Sequence, residues 1–237
     1  MKLGKIVKNY NIPPRPINIL LEGNYVKIEA LNAEKHVDDL YFANSLDKEC
    51  INWTYLPYGP FFEIKKYFKW LKIQEKSKDP IFYTILRKSD NKFVGIASYL
   101  RINPNYGSIE VGHINYSPLL QCTIEGTEAM YLMMKWVFEN GYRRYEWKCN
   151  ALNLKSRNAA QRLGFSYEGV FRQMMIVKGR NRDTAWFSII DREWKDLENC
   201  FEEFLSKKNF LKDGNQKKSL SSLTKCFVSK KDNLDFA

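Results

Sequence analysis

The sequence predicts an α/β domain in which helices flank a mostly antiparallel sheet. Three strand-like runs follow one another in the middle of the chain, and helical patterns alternate with strands on both sides of them. The 237 residues are 44% hydrophobic and 15% aromatic, which is enough apolar surface for one large core. We therefore expect a single large domain.

The formal net charge of +11 is concentrated at the ends of the chain, since residues 1–22 carry +3 and residues 206–237 carry +5. This distribution favours solvated ends over a nucleic-acid partner, although a lysine-rich tail that binds phosphate backbones remains an alternative. The five cysteines form no CxxC pair, so neither a disulfide framework nor a metal site is expected. No apolar run approaches the roughly 18 residues of a membrane span, and we expect a cytoplasmic protein without a membrane partner.

The chain divides into three segments. Residues 1–22 contain three prolines, which deny regular backbone hydrogen bonding and predict an extended N-terminal arm. Residues 23–194 hold the domain itself. Residues 195–237 begin with an amphipathic helix and continue as a basic tail, which is too polar to pack and is expected to be disordered.

The first strand is predicted at residues 23–30, where apolar and polar side chains alternate. Two helices follow it. Their apolar residues recur at helical spacing and are Val37, Leu40 and Tyr41 in the first and Ile64, Tyr67, Phe68 and Leu71 in the second. The loop between them, residues 51–62, is dense in aromatic side chains, and it either caps the core or forms a wall of a substrate pocket.

An antiparallel meander of three strands comes next, with strands that begin at Ile81, Lys92 and Gly107 and turn-forming residues between them. Helical spacing returns after Pro118 and ends at Asn140-Gly141, a typical left-handed stop.

The remaining elements complete a seven-stranded sheet. A strand from Arg143 precedes a short helix over Ser156–Leu163, which Gly164 ends. The last two strands form a hairpin, and its turn is predicted to contain residues 180–183.

Three features are candidates for a functional site. Gly112 leaves a strand interior without a side chain, so either a ligand approaches the backbone there or the strand simply bulges. The turn at residues 121–126 opens a helix, whose N-terminus offers free amides and a positive dipole to a phosphate. The third feature is NALNLKSRNAAQRLGF at residues 150–165, in which Asn153 is a good N-cap and Ser156 projects a hydroxyl from the first helical turn.

The order of elements, the N-x-x-S…LGF string from Asn153 to Phe165, the triplet T-E-A at 127–129 and the pair Glu168-Gly169 resemble the RimJ/RimL-like branch of the GNAT N-acetyltransferases. The resemblance covers residues 23–194. It implies a GNAT fold, that is, a mixed, mostly antiparallel seven-stranded sheet that is splayed between its strands 4 and 5 and flanked by helices. It also implies acetyl-CoA as co-substrate, with the pantetheine arm hydrogen-bonded to strand backbone in the splay.

The same resemblance implies a set of cofactor-binding residues. The strand residues beside the pantetheine are Ile114, Asn115 and Tyr116. The turn residues beneath the pyrophosphate are Gln121, Cys122, Thr123, Ile124, Glu125 and Gly126. Asn153 would hold the pantetheine, and Ser156 would face the sulfur as the catalytic donor to the leaving thiolate.

Three positions depart from the family's pattern. The turn usually reads Q/R-x-x-G-x-G/A, and Ile124 replaces its central glycine. Because a β-branched residue resists positive φ, the turn must use ordinary angles there or shift. Glu125 places a carboxylate near the expected diphosphate. Ala160 stands where many members carry a tyrosine acid, which leaves Ser156 for that role.

Glu110 is the first candidate for the catalytic base, acting through water, unless it is salt-bridged; His113 is the second. Met175 stands where some RimL-like members carry a carboxylate, which weakens any strong-base mechanism. An α-amino group with a pKa of about 7.7–8.0 is roughly 10% neutral at pH 7, whereas a lysine side chain is almost wholly charged. We therefore expect the α-amine of a protein or peptide as acceptor.

Several alternatives stay open. The acceptor could be a small amine such as an amino acid, a polyamine or an aminoglycoside. Lys178, Arg180 and Arg182 near the last turn either attract an acidic acceptor or are simply solvated. A non-catalytic module that binds acyl-CoA is favoured by Ile124 and by the lack of a clear base. Monomer and homodimer are equally compatible with the sequence.

Overall fold

The computed structural model describes residues 2–212 and 215–234 and confirms the α/β class. Its strands are β1 Leu21–Glu22, β2 Val26–Ala30, β3 Ile81–Arg87, β4 Lys92–Asn103, β5 Ser108–Tyr116, β6 Arg144–Asn150, β7 Ser166–Val177 and β8 Arg180–Ile190. They lie side by side in the order β1-β2-β3-β4-β5-β6-β8-β7. Neighbouring strands are antiparallel except β5 and β6, which are parallel.

The helices are α1 Ala33–Ser45, α2 Ile64–Glu75, α3 Ile124–Glu139, α4 Leu154–Arg162, α5 Asp191–Leu205 and α6 Leu220–Thr224. Side chains of α1 and α2 pack with Phe82, Phe93 and Ile96 in one apolar cluster, on what we call the front face of the sheet. Side chains of α3 and α5 pack with Ile109 and Tyr145 in a second cluster, on the back face. Among the described residues, no helix is long and apolar enough to cross a bilayer.

Over the described residues the sheet has eight strands and not the predicted seven, because residues 21–22 pair with β2. The turn between β1 and β2 is held by Glu128 of α3. Its carboxylate accepts hydrogen bonds from the amides of residues 24–26, at 2.7, 2.6 and 2.8 Å. Such a contact joins distant parts of the chain, so a local pattern of alternation does not reveal it.

The N-terminal arm lies against the domain. Residues 2–20 form neither helix nor strand, yet hydroxyl groups of the domain donate to its backbone: Tyr142 donates to the carbonyl of Pro14 at 3.0 Å, and Tyr83 donates to that of Pro16. The arm is thus extended and also bound.

The segment after α5 packs more closely than its composition predicted. Leu220 of α6 is buried, and the carboxylate of Asp232 forms an ion pair with the guanidinium of Arg157 on α4. The expectation that this segment is disordered is therefore corrected. A few buried contacts hold it against the domain although its average composition is polar. Positions 213–214 and 235–237 lie outside the described residues.

The last hairpin turns earlier than the sequence predicted. β7 and β8 join through Lys178 and Gly179, with φ of 49° and 73°, and Val177 pairs with Arg180. Two central residues with positive φ match the twist of the flanking strands. Residues 180–183, predicted as turn because they are polar, consequently belong to β8.

Strand β7 forms one edge of the sheet. Several of its large apolar side chains are exposed, including Phe171 and Met174, and Ile176 is 82% exposed. The sheet therefore ends in an apolar edge strand.

Candidate functional site

Strands β5 and β6 run side by side and then part. Their parallel pairing ends with Val111 opposite Trp147, although β5 continues to Tyr116 and β6 to Asn150. This opening is the predicted splay between strands 4 and 5, which are β5 and β6 once β1 is counted. We call it the gap.

The chain of β5 bends at His113, whose φ of 50° lies in the left-handed region. The register against β4 shifts beside Ser98, which identifies a β-bulge. A Cβ on Gly112 would lie 2.9 Å from Cδ2 of Leu100. The space beside Gly112 thus belongs to a neighbouring side chain, and of the two interpretations of this glycine the bulge is the one found.

Beyond the bulge, β5 turns an unpaired edge to the gap at Ile114, Asn115 and Tyr116. Ile114 and Tyr116 pack against the back-face core, so strand alternation places Asn115 on the front face. The side chain of Asn115 is buried, and neither its Nδ2 nor its Oδ1 has a hydrogen-bond partner in the described part of the chain. Buried amides are normally paired, so this one fits a ligand in the gap.

A row of free amides lies at the end of the turn that follows β5. Thr123 is the N-cap of α3, and its Oγ1 accepts from the amide of Gly126 at 3.1 Å. The amides of residues 122–125 have no partner within residues 2–212 and 215–234. Cys122, with φ of 58°, turns the backbone so that successive amides converge. Such a nest at a helix N-terminus is suited to phosphate.

The two ends of the Q-x-x-x-x-G pattern shape this turn. Gln121 donates from Nε2 to the carbonyl of Tyr116 at 2.7 Å and to Oδ1 of Asn52 at 2.6 Å. A Cβ on Gly126 would lie only 2.6 Å from the carbonyl oxygen of Leu120. Both residues are therefore needed for the conformation of the turn, whether or not they touch the cofactor.

The departures at Ile124 and Glu125 are accommodated. The left-handed residue of the turn is Cys122, so Ile124 keeps ordinary angles in the first turn of α3, as its β-branch requires. The charge of Glu125 acts on Arg87 and Tyr25. Arg87 ends β3, and Tyr25 directly precedes β2.

Asn153 and Ser156 stand together at the start of α4. Oδ1 of Asn153 accepts from the amide of Ser156 at 3.1 Å, which confirms the predicted N-cap. Nδ2 of Asn153 remains free to donate, as far as the described residues go. Oγ of Ser156 accepts from Nε1 of Trp147 at 3.0 Å. Burial raises the pKa of the neighbouring Cys149 to about 11, although the Ser156 hydroxyl acts against it, so this thiol stays protonated at pH 7.

Glu110, the first candidate base, is buried on the front face just before the gap. Its carboxylate lies 2.7 Å from Nη1 of Arg101 and 2.8 Å from Nζ of Lys148. Burial raises the pKa of Glu110, while the two cations act in the opposite direction. The side chain is salt-bridged, as the alternative interpretation had it, and its role as base stays a prediction.

His113, the second candidate base, lies at the mouth of the gap. Its ring stacks on that of Tyr58 at 5.6 Å, and Nδ1 lies 3.3 Å from the Tyr58 hydroxyl. Burial lowers the pKa of His113 to about 4, and the charges of Arg101 and Arg182 add to the effect. The imidazole is therefore neutral at pH 7.

The loop between α1 and α2 both caps the core and covers the gap. Trp53 is buried in the front-face cluster. Its carbonyl accepts from Nζ of Lys178 at 2.9 Å, and the Tyr55 hydroxyl donates to the carbonyl of Leu152 at 3.1 Å. The loop thus reaches from α1 across to the far side of the gap.

Two arginines lie at the site; Arg162 was not predicted there, and Arg182 was predicted in a turn, where it either attracts an acidic acceptor or is solvated. Arg162, at the end of α4, donates to Oγ1 of Thr127 at 3.0 Å and lies within electrostatic reach of Cys122 in the nest. Arg182 lies within electrostatic reach of Glu110 and Cys149. The contact of Arg162 with Thr127 spans 35 residues, so no local pattern reveals it, and the predicted turn at 180–183 placed Arg182 off the sheet. Within the described ranges, no cluster of His, Cys, Asp and Glu could hold a metal.

Known proteins share the fold of this chain. Residues 26–166 match the family model for the acetyltransferase (GNAT) domain. A GCN5-related N-acetyltransferase from Brucella melitensis is 42% identical, with a TM-score of 0.90 over 92% of this chain and 100% of that one. A probable acetyltransferase of the GNAT family from Chromobacterium violaceum is 35% identical, with a TM-score of 0.76 over 82% and 98%.

A more distant neighbour has the same fold with ligands present. The microcin C7 self-immunity acetyltransferase MccE, solved with acetyl-CoA and AMP, is 20% identical, with a TM-score of 0.62 over 71% of this chain and 93% of that one. At this identity the likeness concerns the fold alone. No curated protein sequence matches the chain.

Proposed function

The chain belongs to the GNAT acetyltransferase family, and from this premise we propose that it transfers the acetyl group of acetyl-CoA to the α-amino group of a peptide or protein. Acyl transfer is the activity of the family. The preference for an α-amine and the place in the RimJ/RimL-like branch are the proposed part, as is a cytoplasmic location.

The observation that carries the proposal is a row of groups able to bind acetyl-CoA, which runs from the nest along the edge of β5 to Asn153 and Ser156. The four free amides at 122–125 fit a pyrophosphate, and the charge of Arg162 adds to them. The unpaired edge at 114–116 fits the amides of a pantetheine arm as an added strand would. Nδ2 of Asn153 is a further donor at the inner end of this row.

Acetyl-CoA supplies an activated thioester carbonyl when it is bound. In the transfer, the amine nitrogen bonds to the carbonyl carbon, the carbon–sulfur bond breaks, and the sulfur leaves with a proton while the amine gives one up. Because Oγ of Ser156 already accepts from Trp147, its own proton can point to the sulfur and stabilise the developing thiolate. Ser156 thus takes the role that Ala160 cannot fill.

The proton of the amine needs an acceptor, and the site offers only weak ones. Glu110 is salt-bridged, and His113 has a pKa of about 4. Such bases suit an amine that is already partly neutral at pH 7, which favours an α-amine over a lysine side chain. Glu110 acting through water is the proposed route, with His113 as the second candidate.

The first test is calorimetric titration with acetyl-CoA, followed by incubation with labelled acetyl-CoA and a panel of peptides and small amines. We expect binding, and label on peptide α-amines. Label only on lysine side chains, or on polyamines or aminoglycosides, would contradict the α-amine preference. Binding without any transfer would instead favour the non-catalytic module, and no binding at millimolar cofactor would overturn the whole proposal.

Ser156→Ala tests the proposed donor. Turnover is expected to fall by about 100-fold, with acetyl-CoA affinity nearly unchanged, because the hydroxyl acts only on the leaving sulfur. Lys155→Ala, at the exposed neighbouring position of α4, is the matched control and should keep its rate. Equal rates for both variants would remove the role assigned to Ser156.

A further inference from the structure

Strand β8 presents three polar side chains to the front face, where the acceptor would enter. Lys148 pairs with Trp186 and Asn150 with Thr184 in the register of β6 against β8. Ala185 and Phe187 pack in the back-face core, so alternation places Arg182, Thr184 and Trp186 on the front face. Since the hairpin turns at 178–179, Arg182 is part of this row and not of an exposed turn.

Within the described part of the chain, the row is rich in buried polar atoms that lack partners. They are Nε of Arg182, Oγ1 of Thr184 and Nε1 of Trp186, and Asn115 on β5 adds Nδ2 and Oδ1. Thr184 is 2% exposed and Asn115 is 1% exposed. Leaving such groups unpaired is costly, and their concentration on the front face around the gap indicates a polar ligand.

The cations around the buried Glu110 on the front face are matched by carboxylates, whereas Arg182 on β8 is not. Arg101 pairs with Glu110, and Lys148 lies 2.8 Å from Glu110 and 2.7 Å from Glu146. The side chain of Arg182 has neither an ion pair nor a hydrogen bond among the residues that the structure describes. Burial lowers the pKa of Arg182, while the charge of Glu110 acts in the opposite direction.

Arg182 also lies close to the place where the chemistry would occur. Its charge acts on His113 at the mouth of the gap and on Cys149, the neighbour of Ser156. Arg182 also lies two residues beyond the pair Asn150 and Thr184, at the end of β6 that borders the gap. A group that pairs with Arg182 would therefore lie on the side of the gap where an amine attacks the thioester.

Building on the proposed function, we propose that Arg182 binds a carboxylate that the acceptor carries beside its α-amine. Two sources share this chemistry: the side chain of an N-terminal aspartate or glutamate in a peptide, and the α-carboxylate of a free amino acid. A planar guanidinium matches a carboxylate in a two-pronged geometry. The amide of Asn115 and the hydroxyl of Thr184 provide further hydrogen bonds on either side of the gap.

The test compares peptides that differ only in an N-terminal aspartate or asparagine, with free aspartate as a third acceptor. For the wild type, kcat/KM is expected to be at least about 10-fold higher for the aspartate peptide. Arg182→Gln is expected to lower it by about 30-fold for that peptide and by no more than about 2-fold for the asparagine peptide. Arg180→Gln, exposed on the same strand, is the matched control. Preference for free aspartate over both peptides would identify the α-carboxylate as the source.

Two further readouts separate this inference from the proposed function. If the Arg182 side chain is unpaired until a ligand binds, Arg182→Gln should unfold at the same or a higher urea concentration than the wild type. If Arg182 instead stabilises the fold, the substitution should lower the urea midpoint. If no amine is acetylated, the proposed function fails, and calorimetry of the aspartate peptide with CoA present still decides the inference. Equal affinity for the two peptides, or equal losses for both in Arg182→Gln, would overturn it.

Discussion

The guanidinium of Arg157 and the carboxylate of Asp232 meet in a two-pronged ion pair. Nε lies 2.6 Å from Oδ2 and Nη2 lies 2.5 Å from Oδ1, and the side chains are 0% and 1% exposed. Nη1 of Arg157 also donates to the carbonyl of Ala151 at 2.8 Å. The C-terminal segment is thus fastened to α4 at the residue next to Ser156.

Asp232→Asn removes the charge that balances Arg157. Because the guanidinium remains buried, the free energy of unfolding is expected to fall by about 3 kcal/mol, measured by urea denaturation. Asp38→Asn, at an exposed position of α1, is the control and should change little. Equal stability of the two variants would show that the segment at 232 is not bound in solution.

Glu128→Gln weakens the turn between β1 and β2. The carboxylate accepts from three consecutive amides, so the substitution is expected to cost about 2 kcal/mol of unfolding free energy. Gly23→Ala should also destabilise, because its Cβ would lie 2.4 Å from Cδ of Glu128. Glu139→Gln, at the far end of the same helix, serves as the comparison. A loss in Glu139→Gln as large as that in Glu128→Gln would contradict the assignment.

His113 makes the protein less stable in acid. Burial holds its pKa at about 4, below the usual 6.5. Between these values the unfolded chain binds a proton that the folded chain does not, so this contribution is complete above pH 6.5 and is lost as the pH falls to 4, by about 3 kcal/mol. In His113→Phe, the unfolding free energy should depend less steeply on pH over this window. Parallel pH profiles for wild type and variant would refute the buried neutral state.

The rate at which the Cys122 thiol is alkylated should show whether acetyl-CoA occupies the nest. This thiol is exposed, and the backbone amide of Cys122 is one of the four that would contact the pyrophosphate. With acetyl-CoA at ten times its Kd, alkylation of Cys122 by iodoacetamide should slow by about 10-fold, measured by peptide mass spectrometry. Cys226 is also exposed and lies in the C-terminal segment, so its rate should not change. Equal protection of both thiols, or of neither, would place the cofactor elsewhere.

Local patterns were sufficient for most of the fold. The order of strands and helices, the cap at Asn153 and the left-handed glycines at 141 and 164 depend on neighbouring residues, and the structure has them. The additional strand β1 depends on Glu128, and the packing of the C-terminal segment depends on Arg157. Both are contacts between distant residues, which periodicity does not record.

The site was predictable in part for the same reason. The nest and the pair Asn153 and Ser156 are consecutive stretches of chain, so their motif could be recognised, and their binding roles stay predictions. Arg182 was assigned to a turn because its polar neighbours are typical of one, and only the pairing of Val177 with Arg180 moves it onto the sheet. The ion pairs of Glu110 likewise come from β4 and β6, which meet it only in the folded sheet.

The edge strand β7 also affects how molecules of this protein behave toward one another. A strand that pairs with another strand on one side only, and carries exposed apolar side chains such as Ile176, is a template onto which a second copy can align. The net charge of +11 makes copies repel, and salt limits that repulsion to about 8 Å at physiological ionic strength. Whether copies associate thus depends on the balance between attraction at the β7 edge and repulsion between charges that lie mainly at the chain ends. Concentrated solutions are therefore expected to aggregate least at low ionic strength.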